Sequence, residues 1–159
     1  LDGRRVLDVG CGKGAYLRAL QRRWPDARLH GVAPTRRMLS ACPEGVAART
    51  GTILDLHYPD ASFDAAYTVE TLERAPIVEN AIKEIVRILR PGGRLVIVGK
   101  GDSPTDGSGV APWERRYRPR EVLRLLERYG VESSYEVVPR DAAPAPDGST
   151  IVWKGVRLC

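Results

Sequence analysis

The sequence is poor in residues that cross-link, ligate metals or anchor to membranes. Of its 159 residues, three are cysteine, two histidine, one methionine and one phenylalanine. Cys11, Cys42 and Cys159 cannot all pair, and no C-x-x-C spacing occurs. Neither His30 nor His57 completes a zinc pattern, so no metal site is expected. Free thiols fit a reducing, cytoplasmic location. No apolar run approaches the ~20 residues of a membrane span. Asp2, Arg4 and Arg5 stand where the apolar stretch of a signal peptide would begin. A strong excess of one charge is also missing: 25 basic against 20 acidic residues give +5. The arginines come in pairs (Arg4-Arg5, Arg22-Arg23, Arg36-Arg37, Arg115-Arg116) and not in one block. That reads as a solvated surface before it reads as a nucleic-acid footprint. A phosphate-bearing or otherwise acidic substrate stays open.

What is present suffices for one domain over residues 1–159, with 43% apolar and 28% charged residues. A chain of this length buries roughly 70% of its unfolded-state surface. Collagen, coiled coil and wholesale disorder are excluded. The chain begins at Leu1, not Met, which leaves room for a segment upstream.

Strand-like and helix-like segments alternate. Residues 4–9 read as a buried strand, 14–24 as a helix stopped by Pro25, and 28–32 as a short strand. Thr35 caps a short helix reaching about Ala41; 46–50 and 63–69 are strands. Ile77, Ala81, Ile82, Ile85, Val86 and Leu89 recur at helical spacing, and Pro91-Gly92-Gly93 stops that helix. Leu95–Val98 is an unbroken apolar run, as in a strand covered on both faces. Val122, Leu125, Leu126 and Tyr129 mark a last helix closed by Gly130, before strands near 131–138 and 150–158. The alternation predicts an α/β fold with a mostly parallel sheet. Residues 100–118 and 139–149 have the composition of surface loops, and the first follows a strand's carboxyl end, where such folds bind ligands.

The most specific motif is V-L-D-V-G-C-G-K-G, Val6–Gly14, at a strand-to-helix junction. Gly10 permits the tight turn, Gly12 lets a ligand approach the backbone, and Gly14 opens a helix whose free amides favour anionic or polar groups. With Ala15 the loop also satisfies the G-x-G-x-x-A dinucleotide spacing, so the loop alone does not exclude NAD. The rest of the chain points elsewhere. Val6–Gly14, Pro59–Asp64 and Leu89–Gly93 stand in the order and near the spacing of V-L-D-x-G-C-G-x-G, P-x-x-S-F-D and L-K-P-G-G. Over nearly its whole length the chain resembles the class I S-adenosylmethionine-dependent methyltransferases, in particular the small-molecule (type 11/25-like) group.

The resemblance implies a Rossmann-like, doubly wound seven-stranded sheet in the order 3-2-1-4-5-7-6, with strand 7 antiparallel. It implies S-adenosyl-L-methionine as cofactor, S-adenosyl-L-homocysteine as product and a small-molecule methyl acceptor. It places Asp8, Gly10, Cys11, Gly12, Gly14, Ala33, Thr52, Ile53 and Val69 around the cofactor. The family often covers its substrate with extra N-terminal helices, and a start three residues before the first strand leads to the expectation that this cover is absent or lost.

Three positions depart from the family. Ala33 stands where an acid usually binds the ribose hydroxyls, and Asp26 lies too early to replace it. Losing one charge-assisted hydrogen bond, about 1.5–3 kcal/mol, weakens binding roughly ten- to a hundred-fold. Thr52 stands where an Asp often contacts the adenine amino group, while Ile53 still offers an amide and an apolar wall. Asp55 is read as a solvated turn residue, with an adenine contact as its alternative. Arg74 stands where many relatives have histidine; it stays protonated, so it cannot be a base, but it can bind a carboxylate or phosphate.

Methyl transfer by in-line displacement needs alignment, water exclusion and, for many acceptors, a base. His57, Glu70 and Glu73 are the candidate bases, with His57 and Glu70 preferred; a structural ring is the other reading of His57. Tyr58, Tyr67 and Trp113 are candidate pocket walls, or simply core. T-V-E-T after strand 4 is not the N-P-P-Y type that grips a base amine, which argues against DNA adenine or cytosine-N methylation. Cys42 reads as a structural thiol. Two other readings stay open: a catalytically inactive interaction domain and, from the basic pI, an RNA methyltransferase.

Overall fold

A computed structural model describes residues 1–100, 115–138 and 150–159. The expected loops at 100–118 and 139–149, with Trp113, therefore lie largely outside the described residues. The elements run β1 (Arg5–Val9), α1 (Ala15–Arg23), β2 (Arg28–Ala33), α2 (Arg36–Leu39), β3 (Ala47–Thr50) and β4 (Phe63–Val69). They continue through α3 (Val78–Ile88), β5 (Leu89–Lys100), α4 (Pro119–Arg128), β6 (Val131–Val138) and β7 (Thr150–Arg157).

The seven strands form one sheet in the order β3-β2-β1-β4-β5-β7-β6, as expected. β1 through β5 pair in parallel, whereas β7 runs antiparallel to both β5 and β6. Alternation along each strand sends side chains to two faces. Leu7, Ala66, Leu95 and Ile97 face α3 and α4, whose Ala81, Ile82, Ile85, Val86, Val122 and Leu126 are buried against them. Val6, Leu29 and Ala33 face Leu17 of α1 and Cys11.

Local sequence explains the element ends. Thr35 accepts a hydrogen bond from the Met38 amide, capping α2. Pro119 opens α4, where its missing N–H leaves no bond unmade. Gly130 closes α4 at φ +75°, donating to the Glu127 carbonyl at 3.0 Å. The Arg157 guanidinium caps the end of α3, donating to the Val86 carbonyl at 3.1 Å and to that of Leu89.

Two details differ from the sequence reading. Pro91-Gly92-Gly93 does not separate helix from strand: β5 begins directly at Leu89, pairing with Phe63, and an irregularity absorbs the turn before Arg94 pairs with Ala65. A single 3-10 turn, Leu72–Arg74, follows β4 where no element was expected.

Candidate functional site

The chain turns immediately after β1. Gly10 (φ +85°), Gly12 (φ +52°) and Gly14 (φ +75°) all adopt left-handed backbone, which costs other residues roughly 1–2 kcal/mol. The Gly10 and Cys11 amides both donate to the Val32 carbonyl, at 2.9 Å each, tying the loop to the end of β2.

The glycines serve different ends. A Cβ on Gly10 would lie 2.2 Å from Thr71 Oγ1, so Gly10 lets the segment after β4 close over the loop. A Cβ on Gly14 would lie 2.9 Å from Pro43 Cδ, so Gly14 lets the α2–β3 connection approach. A Cβ on Gly12 would meet nothing within 4 Å and would project into open space.

Gly12 also lines a cavity of about 590 Å³, within the range of small-molecule sites. It lies at the carboxyl ends of the parallel strands, where the chain order reverses between β1 and β4. Its walls are Gly10 and Gly12, then Val32 and Pro34 at the end of β2, and Met38 of α2. Gly51, Thr52, Ile53 and Leu54 follow β3; Val69, Glu70, Thr71, Arg74 and Pro76 close it from the end of β4.

Of the residues named from sequence, Gly10, Gly12, Thr52, Ile53, Val69 and Glu70 line this cavity together, and so does Arg74. Glu70 is held at φ +49°, its amide donating to the Val98 carbonyl at 2.8 Å. The Thr52 hydroxyl accepts from the Leu54 amide at 3.3 Å, within a tight turn closed by reciprocal Thr52–Asp55 backbone bonds.

The other named residues lie off the wall. Asp8 is buried behind the loop and accepts a hydrogen bond from the Tyr67 hydroxyl at 2.9 Å. Burial pushes its carboxyl up to about 7, and the Tyr67 bond offsets only part of that. Tyr67 is pushed upward by its own burial and then by the Asp8 charge. Cys11 and Ala33 are buried under α1, and Gly14 is the first cap of that helix. The Ala33 methyl leaves no carboxylate at the end of β2, and its neighbours Val32 and Pro34 give the wall no polar side chain there.

His57 turns to the surface: its Nε2 lies 3.0 Å from Asp55 Oδ2 and its side chain is 58% exposed. Its Nδ1 is 3.5 Å from where a Cβ on Gly51 would sit, so the ring stands beside the cavity wall without forming it. Glu73 is buried and accepts from the Lys100 amide at 2.7 Å. Tyr58 is buried between His30 and Phe63, its ring crossed by the Arg49 guanidinium at 4.0 Å.

Sequence reasoning missed Val32, Pro34, Met38, Leu54, Thr71 and Pro76. Their shared signal is position: most of them follow closely after the carboxyl end of a parallel strand.

Among the described residues, no cluster of three or more His, Cys, Asp or Glu is arranged to hold a metal ion. No helix among them is long and apolar enough to cross a membrane.

The chain is similar to the sterol 24-C-methyltransferase of Aspergillus fumigatus, 37% identical over 101 residues that cover 58% of this chain and 26% of that protein. It is also similar to the 27-O-demethylrifamycin SV methyltransferase of Amycolatopsis mediterranei, 30% identical over 166 residues covering 98% of this chain and 59% of that one. The chain thus spans between about a quarter and three fifths of these curated relatives. In three dimensions it resembles a SAM-dependent methyltransferase of Methanosarcina mazei, with a TM-score of 0.81 at 18% identity over 99% of this chain and 94% of that one. Residues 7–97, from β1 into β5, match the family described as "Methyltransferase domain", and the chain belongs to that family.

Proposed function

We propose that the cavity beside Gly12 holds S-adenosyl-L-methionine and that the protein transfers its methyl group to a small-molecule acceptor at oxygen, nitrogen or carbon. The observation that carries this reading is the cavity at the carboxyl ends of the parallel strands, lined by Gly10 and Gly12 of the glycine loop, where a Cβ on Gly12 would meet no protein atom within 4 Å. The donor set fits the cofactor at two places. The loop and the first amides of α1 suit the polar methionine end. Val32, Pro34, Met38, Ile53 and Leu54 form an apolar slot that suits an aromatic base. Relatives named for a sterol and a rifamycin support a small-molecule acceptor. Three free cysteines support a reducing, cytoplasmic setting.

When bound, the cofactor supplies a methyl group already activated on a sulfonium, so the chain has mainly to align and exclude water. Glu70 is the carboxylate on the wall, and we assign it the proton that an acceptor hydroxyl or ammonium must lose. Arg74 places a permanent positive charge on the same wall, suited to an acidic group on the acceptor.

Calorimetric titration with S-adenosylmethionine and S-adenosylhomocysteine tests the reading. Micromolar binding, weakened at least about tenfold (~1.4 kcal/mol) by Gly12→Ala, is the expected result. Absence of binding at millimolar ligand would overturn it. The methyl of Ala33 supports a second reading, a domain that binds the cofactor weakly and does not turn over. Binding without transfer to any acceptor of a chemically varied panel would favour that one.

A further inference from the structure

Two thiols face each other behind the glycine loop, and the proposed transfer uses neither. Cys11 Sγ and Cys42 Sγ lie 4.0 Å apart, although their residues are 31 positions apart in sequence. One sits in the turn after β1, the other in the connection between α2 and β3.

Glycines make the room for both sulfurs. A Cβ on Gly31 would lie 2.8 Å from Cys11 Sγ, and one on Gly14 would lie 3.2 Å from Cys42 Sγ. A disulfide bond is about 2.05 Å long, so the sulfurs must close by about 2 Å. The segment able to give is that of Cys42: α2 has four residues and buries none of them fully. Cys11 is the buried one of the two, its amide donating to the Val32 carbonyl, while the Cys42 segment is tied to α1 by bonds from the Arg18 and Gln21 side chains to the Ala41 and Glu44 carbonyls.

We propose that Cys11 and Cys42 are an oxidative modification site, at which a hydroperoxide joins them in an intrachain disulfide. Cys42 is the more exposed thiol and reacts first. Its thiolate attacks the terminal peroxide oxygen, the O–O bond breaks, the other half leaves as alkoxide (hydroxide from hydrogen peroxide) and takes up a proton, and a sulfenic acid forms. The Cys11 sulfur then attacks the Cys42 sulfur. The S–S bond forms as the S–O bond breaks, and hydroxide leaves with the Cys11 proton as water. Two thiols lose two electrons in all, and one peroxide becomes water plus the alcohol or water of its other half. Burial and the neighbouring Cys42 push the Cys11 thiol up to about 12, so it keeps its proton while Cys42 is oxidised and gives it up to the departing hydroxide in this second step. The adjacent residue is Gly12, so the bond pulls on the cavity wall.

Trypsin cuts after Arg5, Lys13, Arg37 and Arg49, so residues 6–13 and 38–49 carry one of the two thiols each, and Cys159 falls on a third fragment. After mild peroxide treatment, the unreduced digest is expected to contain 6–13 joined to 38–49, two hydrogen masses below their sum. The species should vanish with dithiothreitol and be missing from Cys42→Ser. Met38, on the same fragment, reports through its sulfoxide that the oxidant arrived. If Met38 is oxidised while both thiols still take up iodoacetamide in full, the proposal fails. It fails equally if Cys42 proceeds to sulfinic acid with Cys11 still free. This readout does not depend on what the cavity holds. A separate titration of oxidised protein should show S-adenosylmethionine binding weakened at least about tenfold and restored by dithiothreitol; an unchanged affinity would overturn the link to Gly12.

Discussion

On one face of the sheet, α3 and α4 press a continuous layer of Ile82, Ile85, Ile88, Val122 and Leu126 onto Phe63, Leu95, Ile97 and Trp153, all nearly inaccessible to water. On the other face, the fully covered set is Val6, Cys11, Leu17, Leu29 and Ala33, and the glycine loop rests on it. β1, β2 and β4 supply side chains to both layers, β5 and β7 only to the first, and the helices differ as well. α3 buries five of its residues and α1 only Leu17. The deep face holds the fold together, while the shallow face carries the loop and leaves it able to adjust.

The comparison breaks most directly at its deep end. Ile85→Ala is expected to remove about 2–5 kcal/mol of stability in urea titrations, the usual range for a buried large-to-small change. Leu17→Ala should fall at the lower end of that range, because the thin layer can collapse around it, and should weaken ligand binding as well. Equal losses with unchanged binding would abolish the distinction between the faces.

Next comes the carboxyl buried on the shallow side. Folded Asp8 keeps its proton to about pH 7, against 3.8 for an ordinary aspartate. Between those values the folded state binds more protons than the unfolded one, so stability falls as pH rises. Asp8→Asn keeps an acceptor for Tyr67 and has no such charge to bury. The variant should therefore gain on the parent by about 1.4 kcal/mol per pH unit at the steepest, up to roughly 4 kcal/mol above pH 7. Below about pH 4 the two should converge. Parallel curves of stability against pH would show that Asp8 ionises freely.

Smaller effects separate two glycines of one loop. Gly10→Ala combines left-handed strain with a collision on Thr71, and roughly 2–4 kcal/mol of stability should be lost. Gly12→Ala meets only the strain, roughly 1–2 kcal/mol, because its Cβ would meet nothing within 4 Å. Its larger effect should appear in ligand affinity. Thermal melts with and without S-adenosylmethionine would tell the two apart.

Periodicity made the deep face legible. Ile82, Ile85 and Val86 announce a helix and Leu95–Val98 a strand, and both stand where expected, although only Leu95 and Ile97 of that run are buried, Val96 and Val98 on the other face being partly exposed. The glycine loop was legible because strand, turn and helix are contiguous there. Beyond the loop, the family resemblance reached Thr52, Ile53 and Val69, but Pro34 and Thr71 were not legible, because the remaining walls come from three separate strand ends and no local pattern tells those residues that they will meet. His57 shows the limit on single residues. Its identity suits a base, but its backbone at φ +54° turns the ring toward Asp55 and solvent. The onset of β5 was misplaced for a related reason. The helix ends at Ile88, ahead of Pro91 and Gly92, and pairing of Leu89 with Phe63, a tertiary contact, starts the strand before them.

The position of β7 bears on how this protein is made. Among the described residues the last strand lies between β5 and β6, and β6 has no other neighbour in the sheet. As the ribosome releases the chain, Val131–Val138 must wait with both edges bare until Thr150–Arg157 follow. At about 5–20 residues per second that interval lasts roughly one to four seconds. Val137 and Val138 are exposed even in the finished fold, and Glu132 and Glu136 are the charges that discourage another chain from pairing there meanwhile. A nascent chain arrested before Thr150 should be cut by protease within β6, and protection should appear only once Arg157 has emerged.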